Sequence, residues 1–571
     1  MGVYFDLGRP VVGGWMGGPW ITYDPVQKRD LIWGGEFGQE GANLFAIDVD
    51  AGGIVAEYRI GAREFNGTVD PHTGRLWLYT YHGLNQPGNM LLSWRPEMQT
   101  LAYHGFPPLN GQRFVGAVLG NNGCVYLGTH PYGHLVSFAP ETETWHDHGC
   151  QAPEPIVADQ QIWCRPHSLN ETGEIICNVI RTRPGEWIAF DPATGKKRLL
   201  ASAPHEPADS TNATSRDIQA DIYAGTYTVD GEPRSFAYQP KVATDIVGLT
   251  KGPDGKIYGS TIISMHIFSF DPGARNLADL GRVGFGNGEV YDVIAHEEKL
   301  YFGSYTGAYW AVYDPAQPWH PRQDVGGLAT DANPRCLGQI GSNMNRPFEY
   351  TIGPDGCIYI ACRADYGIQG GGLARFDSEK EEIHVFVDEE QSIQCVAADD
   401  RYVYGGTSIS GGRGCIETTT QGKLFIFDSQ LQERIFTCIP DGDAVAVTSL
   451  AVSSGNGLIY GSTSAGVLFA FDCDQRQVVE TWRIRSRGTP LMGVPETYGI
   501  IHLTAASDGH IYGVTNSDLF RLDIGMNRIL YLEPPPIPDL YQIIEGQPGI
   551  FYTGARGHLL EYHLAGTPHY R

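Results

Sequence analysis

The chain has 571 residues, of which 73 are glycine and 36 proline; 11% are aromatic and only 18% are charged. This length exceeds what a single hydrophobic core usually supports, and the composition is typical of many short strands joined by tight turns, not of disorder or a coiled coil. The formal net charge of -25 disfavours nucleic acid as a partner, because the chain would repel a phosphate backbone.

The N-terminal segment lacks a basic start followed by an apolar stretch, and no run of about 18 apolar residues occurs elsewhere. We therefore expect neither an export signal in this sequence nor a membrane contact. The eleven cysteines include no C-x-x-C pair, and their odd number leaves at least one thiol free. Several, such as Cys177 and Cys357, fall in apolar runs. These features favour a cytoplasmic protein, or a secreted one if a leader precedes this sequence.

One pattern recurs along the whole chain: a glycine, one or two residues, an aromatic residue or isoleucine, a small residue and Gly-Ser or Gly-Thr, then a loop and an apolar strand that closes on Asp-Pro. The clearest copies span residues 123–140, 255–272 and 299–315. Looser copies begin at Tyr402, Leu458, His510 and Ile550. With the diverged copies there are about eleven or twelve units at a spacing of roughly 45 residues.

Each copy predicts a strand, a turn and a second strand, since apolar residues alternate and the glycine and Asp-Pro positions supply turns. A four-stranded blade has about this length, so the sequence predicts an all-β protein built as a β-propeller. Because propellers typically have 4 to 8 blades, about twelve units favour two propellers in tandem, at 1–325 and 326–571. One propeller with insertions is the alternative. The less regular segment 203–241 predicts an inserted hairpin.

In a propeller, the residue before each innermost strand and the loop between the second and third strands meet around the axis at one face. At these positions the repeats collect arginine, histidine and tyrosine, although the chain is acidic. The residues concerned are Asn66, Tyr79, Tyr81, His82, Arg113, His130, Tyr132, Arg165, His167, Arg181, Arg183, Tyr291, Tyr305, Arg346, Arg363 and Tyr366.

Such a set suits a carboxylated sugar, because guanidinium groups bind carboxylates in a bidentate manner and aromatic rings pack on pyranose faces. The reaction that fits is β-elimination, in which arginine neutralises the carboxylate, and histidine or tyrosine removes the C5 proton and protonates the leaving oxygen. We predict His130, Tyr132 and His167 as catalytic residues, with no cofactor or metal. The predicted substrate-binding residues are Tyr81, His82, Arg113, Arg165, Arg181, Arg183, Tyr305, Arg346 and Arg363.

In its repeats and in these residue types, the sequence resembles the propeller polysaccharide lyases that cleave ulvan or rhamnose-glucuronate linkages. The resemblance implies an enzyme with a His/Tyr/Arg site on one propeller face and a uronate-containing glycan as substrate. It extends by role and position to His130, Tyr132, Arg165 and His167.

Other interpretations stay open. A glycoside hydrolase would use two carboxyl groups, and four acidic residues lie near the predicted face: Glu289, Asp292, Glu349 and Asp365. A non-catalytic scaffold is a further alternative, although the G-H…W-D signature of WD repeats is missing. An oxidoreductase is least favoured, because the sequence has neither C-x-x-C-H nor vicinal cysteines.

The WHDH segment at 145–148 resembles a metal site but is predicted at a sheet edge. Turn histidines such as His130 are often simply solvated, and Arg181 could form a surface ion pair.

Overall fold

The structure, a computed structural model, describes residues 2–38, 41–80, 90–105, 107, 109, 112–156, 161–181, 185–204, 213–322, 330–488 and 499–566. These residues form 47 β-strands in eleven four-stranded sheets and one three-stranded sheet. The all-β prediction of about twelve four-stranded units is therefore confirmed. In this part of the chain, no helix is long and apolar enough to cross a membrane.

The chain divides into two compact units. The first, here called the ring unit, comprises Met1–Gly14 and Thr244–Arg571, and the second, the inserted unit, comprises Trp15–Ala243. The ring unit begins with β1 (Val3–Asp6).

The inserted unit contains β2 to β20 in five antiparallel sheets. In chain order they are β2–β5 (Met16–Asp24, Arg29–Glu36, Ala42–Asp48, Ile54–Ile60), β6–β9 (Phe65–Val69, Leu76–Thr80, Leu91–Arg95, Thr100–Tyr103), β10–β13 (Arg113–Leu119, Val125–His130, His134–Ala139, Thr144–Cys150), β14–β17 (Trp163–Leu169, Ile175–Ile180, Glu186–Phe190, Lys197–Leu199) and β18–β20 (Ile218–Asp221, Thr226–Val229, Glu232–Ser235). The segment predicted as a hairpin thus contributes three strands.

The ring unit continues with β21 to β47 in seven sheets. They are β21–β24 (Ile246–Lys251, Ile257–Thr261, His266–Asp271, Asn276–Arg282), β25–β28 (Val290–His296, Lys299–Ser304, Tyr309–Tyr313, Arg335–Gln339), β29–β32 (Met344–Ile352, Ile358–Ala364, Gly371–Asp377, Glu382–Asp388), β33–β36 (Ser392–Ala398, Val403–Ser408, Leu424–Asp428, Glu433–Cys438), β37–β40 (Val447–Val452, Ile459–Thr463, Val467–Asp472, Gln477–Arg483), β41–β44 (His502–Ala505, Ile511–Val514, Leu519–Asp523, Arg528–Tyr531) and β45–β47 (Leu540–Gln547, Ile550–Ala555, His558–His563), the last completed by β1.

These seven sheets close into a ring. Their first strands, β21, β25, β29, β33, β37, β41 and β45, contact one another in this order, and β45 also contacts β21. β1 pairs with β47, with Val3 opposite His563 and Asp6 opposite Leu560. Apolar side chains fill the space between neighbouring sheets, as where Tyr301 packs with Phe376 of the next sheet. The ring unit is a β-propeller of seven blades.

The division into units differs from the predicted tandem arrangement with a boundary at residue 325. That residue lies between β27 and β28, which pair with each other in one sheet. The predicted boundary therefore falls in the connection between two strands of one blade. The inserted unit lies between β1 and β21 in sequence, and the chain leaves and re-enters the ring unit at neighbouring points, since Thr244 N donates to Val11 O at 3.1 Å.

The turn before the second strand of several blades has one construction. An Asp-Gly pair supplies it, with the glycine at positive φ, as at Gly255, Gly356 and Gly509. The aspartate then accepts a hydrogen bond from the tyrosine of the following strand: Tyr258 to Asp254 at 3.0 Å and Tyr512 to Asp508 at 2.8 Å. The recurring tyrosine of the sequence pattern therefore ties the turn to its strand.

The first strands of the ring unit are bulged near their beginnings. Register shifts occur in six of the seven, and in each an extra residue is inserted opposite the second strand. Bulges redirect side chains, here at the innermost position of each blade. The residues within these shifts include Val247, Tyr291, Asp292, Phe348, Glu349, Gln394, Thr448 and Gln542.

Several of these side chains meet on the ring axis. Val247, Tyr291 and Phe348 pack into one buried cluster with Ala446 and Ile500. The five residues belong to or immediately precede the first strands of five different blades, which approach one another in this way only at the centre of a ring.

Candidate functional site

A polar cluster lies beside this axial apolar layer, where β25 and β29 begin. Glu289 immediately precedes β25, Arg346 belongs to β29, and Tyr305 and Tyr366 follow the second strands of the same two blades. Tyr305 and Arg346 are among the predicted substrate-binding residues, and the structure brings them into direct contact.

Arg346 is the centre of the cluster. Its guanidinium carbon lies 3.9 Å from the centroid of the Tyr305 ring and 5.6 Å from that of Tyr366, and its Nε donates to the Tyr291 hydroxyl at 2.9 Å. The residue is only 2% exposed, yet its Nη1 has no hydrogen-bond partner. A buried guanidinium group with one unsatisfied N–H donor can bind an anionic ligand.

Tyr305 and Tyr366 form a phenol pair over this cation, with their hydroxyl oxygens 2.5 Å apart and both residues partly exposed. Burial raises the pKa of Tyr305. Burial also acts to raise the pKa of Tyr366, but the charges of Arg346 and Arg413 and the hydrogen bond with Tyr305 outweigh it, and the pKa of Tyr366 is lowered. The two phenols are thus driven in opposite directions, one toward the neutral form and the other toward the phenolate.

The backbone around Tyr305 is fixed on both sides. Its N–H donates to Glu289 O at 2.8 Å, and its carbonyl accepts from Asn287 N at 3.0 Å. Gly288 lies between these two residues, and a Cβ there would fall 2.2 Å from Tyr305 Cδ1. The absence of a side chain at this position is what allows the ring to pack there.

Tyr366 and Arg413 lie on two loops that are joined by backbone hydrogen bonds. Gly367 N donates to Arg413 O, and Gly412 N donates to Ile368 O, each at 2.8 Å. The loops approach so closely that a Cβ on Gly412 would lie 1.7 Å from Asp365 O. Arg413 is not among the residues predicted from the sequence, because it neither precedes a first strand nor directly follows a Gly-Ser/Thr signature. The run GGRGC, in the same loop but further along, is the signal that could have identified it.

The cluster carries more positive than negative charge. Arg363 is buried and donates from Nη2 to Ser410 O at 3.3 Å, with its guanidinium 5.6 Å from the Phe348 ring centroid. Glu289 is 3% exposed, and burial raises its pKa despite the nearby Arg346 and Arg413. Arg346 and Arg413 thus act on a carboxyl group that burial nevertheless holds toward neutrality, and the predominance of arginine favours an anionic ligand.

The predicted catalytic residues lie in the inserted unit. His130 is buried, its ring 4.2 Å from that of Trp163, and its Nε2 lies 3.3 Å from Gln161 Oε1. Arg113 is its cross-strand partner. Tyr132 is 53% exposed. The structure thus brings Arg113 and His130 together, and the catalytic role of His130 and Tyr132 stays a prediction.

His167, the third predicted catalytic residue, lies at the bulge of β14 between Pro166 and Ser168. Its Nδ1 is 3.1 Å from Ser168 Oγ, and its ring stands edge-on to Trp187 at 5.1 Å. Its role also stays a prediction.

The arginines of β14 and its neighbour differ in their surroundings. Arg165 is exposed and lies 5.0 Å over the Trp163 ring. Arg181 makes a two-pronged ion pair with Glu186, at 2.9 and 3.0 Å, which is the surface pairing that the sequence left open. Tyr81, His82 and Arg183 lie outside the described residues.

The WHDH segment forms part of β13, the outermost strand of its sheet, as the sequence predicted. His148 Nε2 lies 2.9 Å from Ser137 Oγ, and Asp147 Oδ1 lies 3.0 Å from His134 Nδ1. Across the described ranges, no three side chains of His, Cys, Asp or Glu are grouped so as to hold a metal ion.

Asp292 and Glu349, two of the four acidic residues named for a hydrolase, lie at the bulges of β25 and β29. Burial raises the pKa of Asp292 to about 7, and burial followed by the charge of Asp292 raises that of Glu349. Asp365 is in the Tyr366 loop and accepts from Tyr366 N at 2.8 Å.

All eleven cysteines fall within the described ranges, and each is a free thiol.

No protein-family model matches this sequence, and no curated protein matches it. Solved structures do match. A streptogramin B lyase structure is 12% identical with a TM-score of 0.40, covering 56% of this chain and 93% of its own. A protein described as the extracellular domain of a one-component system of B. thetaiotaomicron is 11% identical with a TM-score of 0.39, covering 95% of this chain and 69% of its own.

Proposed function

We propose that the ring unit is a lyase that cleaves a uronate-containing glycan by β-elimination at the cluster of Arg346, Tyr305 and Tyr366. The observation that carries this proposal is the 2.5 Å hydrogen bond between two phenols whose pKa values are displaced in opposite directions. Elimination from a uronate requires one group that accepts a proton and another that donates one, beside a cation that neutralises the carboxylate.

The arginines supply the neutralisation. Arg413 is partly exposed next to Tyr366 and would bind the uronate carboxylate. Arg346, packed against the Tyr305 ring, would stabilise the negative charge of the phenolate. Withdrawal of charge from the carboxylate acidifies the C5 proton. This fixed positive field acts in a largely buried site, where it is screened less than in water.

The phenol pair supplies the proton transfers. Tyr366, with the lowered pKa, takes the C5 proton as a phenolate; the C5–H electrons form the C4–C5 double bond, and the C4–O bond breaks. Tyr305, held neutral, gives its proton to the leaving oxygen. Tyr305 is then the phenolate and Tyr366 the phenol, and one proton passing along their hydrogen bond restores the starting state.

The closeness of the two hydroxyls also limits the stereochemistry. Base and acid act from the same side of the sugar, so H5 and O4 must be cis, as in glucuronate and unlike galacturonate. We expect glucuronate-containing glycans to be cleaved faster than galacturonate-containing ones.

To test this proposal, the full chain is incubated with each kind of glycan, and formation of the unsaturated product is measured by its ultraviolet absorbance. Tyr366→Phe should lower kcat by about 10²–10⁴-fold, and Arg346→Lys by about 10²–10³-fold. His130→Ala and His167→Ala are the matched controls. If activity is lost in these and kept in Tyr366→Phe, the site lies in the inserted unit and the assignment to the ring unit is wrong.

Two further outcomes separate the alternatives. New reducing ends without absorbance would replace the lyase with a hydrolase. Binding of the glycan without any product, weakened in Arg346→Lys, would leave a carbohydrate-binding propeller.

A further inference from the structure

A second polar layer on the ring axis is separate from the phenol pair. It consists of four bulge residues from four different blades: Asp292 of β25, Glu349 of β29, Gln394 of β33 and Gln542 of β45. We call this set the axial oxygen layer. Gln542 Nε2 donates to Asp292 Oδ1 at 3.1 Å. One blade, that of β21, lies between the blades of these two residues, so this hydrogen bond joins blades that are not neighbours at the inner edge of the ring.

The two carboxyl groups lie near each other, and the charge of Asp292 acts directly on Glu349. Their hydrogen bonds come from neutral amides: Val293 N donates to Asp292 at 2.9 Å, and Val396 N donates to Glu349 at 3.3 Å. Among the described residues, the charged and polar groups that act on them include no lysine or arginine. No neighbouring cation therefore offsets the burial that holds the two carboxyl groups toward their neutral forms. A cation bound between them would favour their ionised forms.

The two amides each have an unused oxygen. Gln394 is 2% exposed and Gln542 is 5% exposed, and neither Oε1 has a hydrogen-bond partner. Buried carbonyl oxygens are normally satisfied, and leaving one without a donor is costly. The bulges thus bring the carboxyl groups of Asp292 and Glu349 and the amide of Gln542 toward the axis, and the bulge of β33 places Gln394 at the corresponding position of its own blade.

We propose that the axial oxygen layer binds a hard divalent cation such as Ca²⁺ or Mg²⁺. Such ions take carboxylate and amide oxygens as ligands and complete their coordination with water. Two carboxylates match a charge of two. Only two of the four residues are of the His, Cys, Asp or Glu types, which agrees with the lack of a group of three among the described residues. The ion would join four blades across the axis, and its role would not depend on the lyase activity.

The experiment uses the full chain, first dialysed against a chelator and then titrated with CaCl₂ or MgCl₂. At constant ionic strength, one of the two ions should raise Tm by a few degrees, and metal analysis after equilibrium dialysis should find one ion per chain. Asp292→Asn combined with Glu349→Gln should abolish the shift. Glu480→Gln, at an exposed position of the outer strand β40, is the control and should keep it.

The proposal is overturned if neither ion shifts Tm beyond a matched KCl sample, or if the shift persists in the double variant, because surface carboxylates would then be responsible. If the double variant does not fold, two other measurements test the proposal: the number of ions bound per wild-type chain, and ion binding by the Gln394→Leu variant. The proposal is also wrong if metal analysis finds no ion, or many ions, per wild-type chain. It is equally wrong if the Gln394→Leu variant binds the ion as well as the wild type does. Loss of ion binding in Gln394→Leu supports it.

Discussion

The behaviour of Tyr366 depends on a competition between burial and charge. Burial alone would raise its pKa, as it does for Tyr305 at nearly the same depth. Arg346 acts on both phenols, whereas Arg413 acts on Tyr366, and the two rings therefore differ although they share a hydrogen bond. Position relative to two guanidinium groups, rather than residue type, distinguishes the two tyrosines.

Tyr366→Phe should change the pH dependence of stability. An acid whose pKa is lowered on folding stabilises the native state fully above its unfolded pKa, here about 10, and this contribution is lost as the pH falls through the folded value. The free energy of unfolding of the wild type, minus that of Tyr366→Phe, should therefore increase as the pH rises from neutrality toward 10. Urea denaturation across this range measures it, and the exposed Tyr132→Phe is the control. A difference that is flat with pH would contradict the lowered pKa.

Gly288→Ala should displace Tyr305, because the new Cβ would lie 2.2 Å from the ring. We expect a loss of about 1–3 kcal/mol in the free energy of unfolding together with loss of lyase activity. Gly442→Ala is the matched control, since its nearest neighbour would be Gln421 Nε2 at 3.7 Å. Equal stability of the two variants in urea would show that Tyr305 does not need the space at Gly288.

The site could be predicted only in part from the sequence. Tyr305, Arg346 and Arg363 follow from the repeat, because each occupies a fixed position relative to a Gly-Ser/Thr signature or a first strand. Arg413 could not be placed in this way, since its loop is longer. The lowered pKa of Tyr366 could not be foreseen either, because it depends on distances between loops of different blades.

Within each blade, the repeated Asp-Gly turn and its tyrosine form one structural device, with two variants. In β42 the Tyr512 hydroxyl donates to the carboxylate of Asp508, whereas in β38 the Tyr460 hydroxyl accepts from the side-chain amide of Asn456 at 3.0 Å. A hydrogen bond to a charged group contributes more than one between neutral groups.

Tyr512→Phe should therefore cost more than Tyr460→Phe: about 1.5–3 kcal/mol against about 0.5–1.5 kcal/mol in the free energy of unfolding. Each variant is the control for the other, since both tyrosines are buried at equivalent positions of the second strand. Urea denaturation at neutral pH compares them. The reverse order would mean that the turn carboxylate adds nothing beyond a neutral hydrogen bond.

The strands themselves were predictable from the sequence, since the repeat fixes their number and spacing. The bulges of the first strands were not, because a bulge is defined by the register of two strands, and the residues around Asp292 or Gln542 carry no distinctive signature. The sequence therefore predicts Asp292 and Glu349 near the face but not that both lie at bulges of first strands.

At the scale of the whole molecule, a ring unit is interrupted by an inserted unit. The sequence could not reveal this, because the strand that closes the ring, β1, is separated from β47 by the rest of the chain. The ion pair between Asp6 and His558, at 3.0 Å, joins residues 552 positions apart. A repeat pattern shows where blades are but not which blade the first strand completes.

The ring unit should fold without the inserted unit. Val11 and Thr244 are joined by a backbone hydrogen bond, so a short Gly-Ser linker in place of residues 15–243 would span the gap. We expect a soluble β-rich protein with one cooperative thermal transition, measured by circular dichroism and calorimetry. An aggregated or non-cooperative product would show that the ring unit depends on the inserted unit for its stability.

The pairing of β1 with β47 also sets an order of events during synthesis. At a synthesis rate of about 5–20 residues per second, β47 is made on the order of half a minute to two minutes after β1. For that interval the last blade has no complete set of strands, and the ring stays open with unpaired edges. A stalled or truncated chain would expose those edges to other copies, and pairing of β1 with β47 removes this route to aggregation.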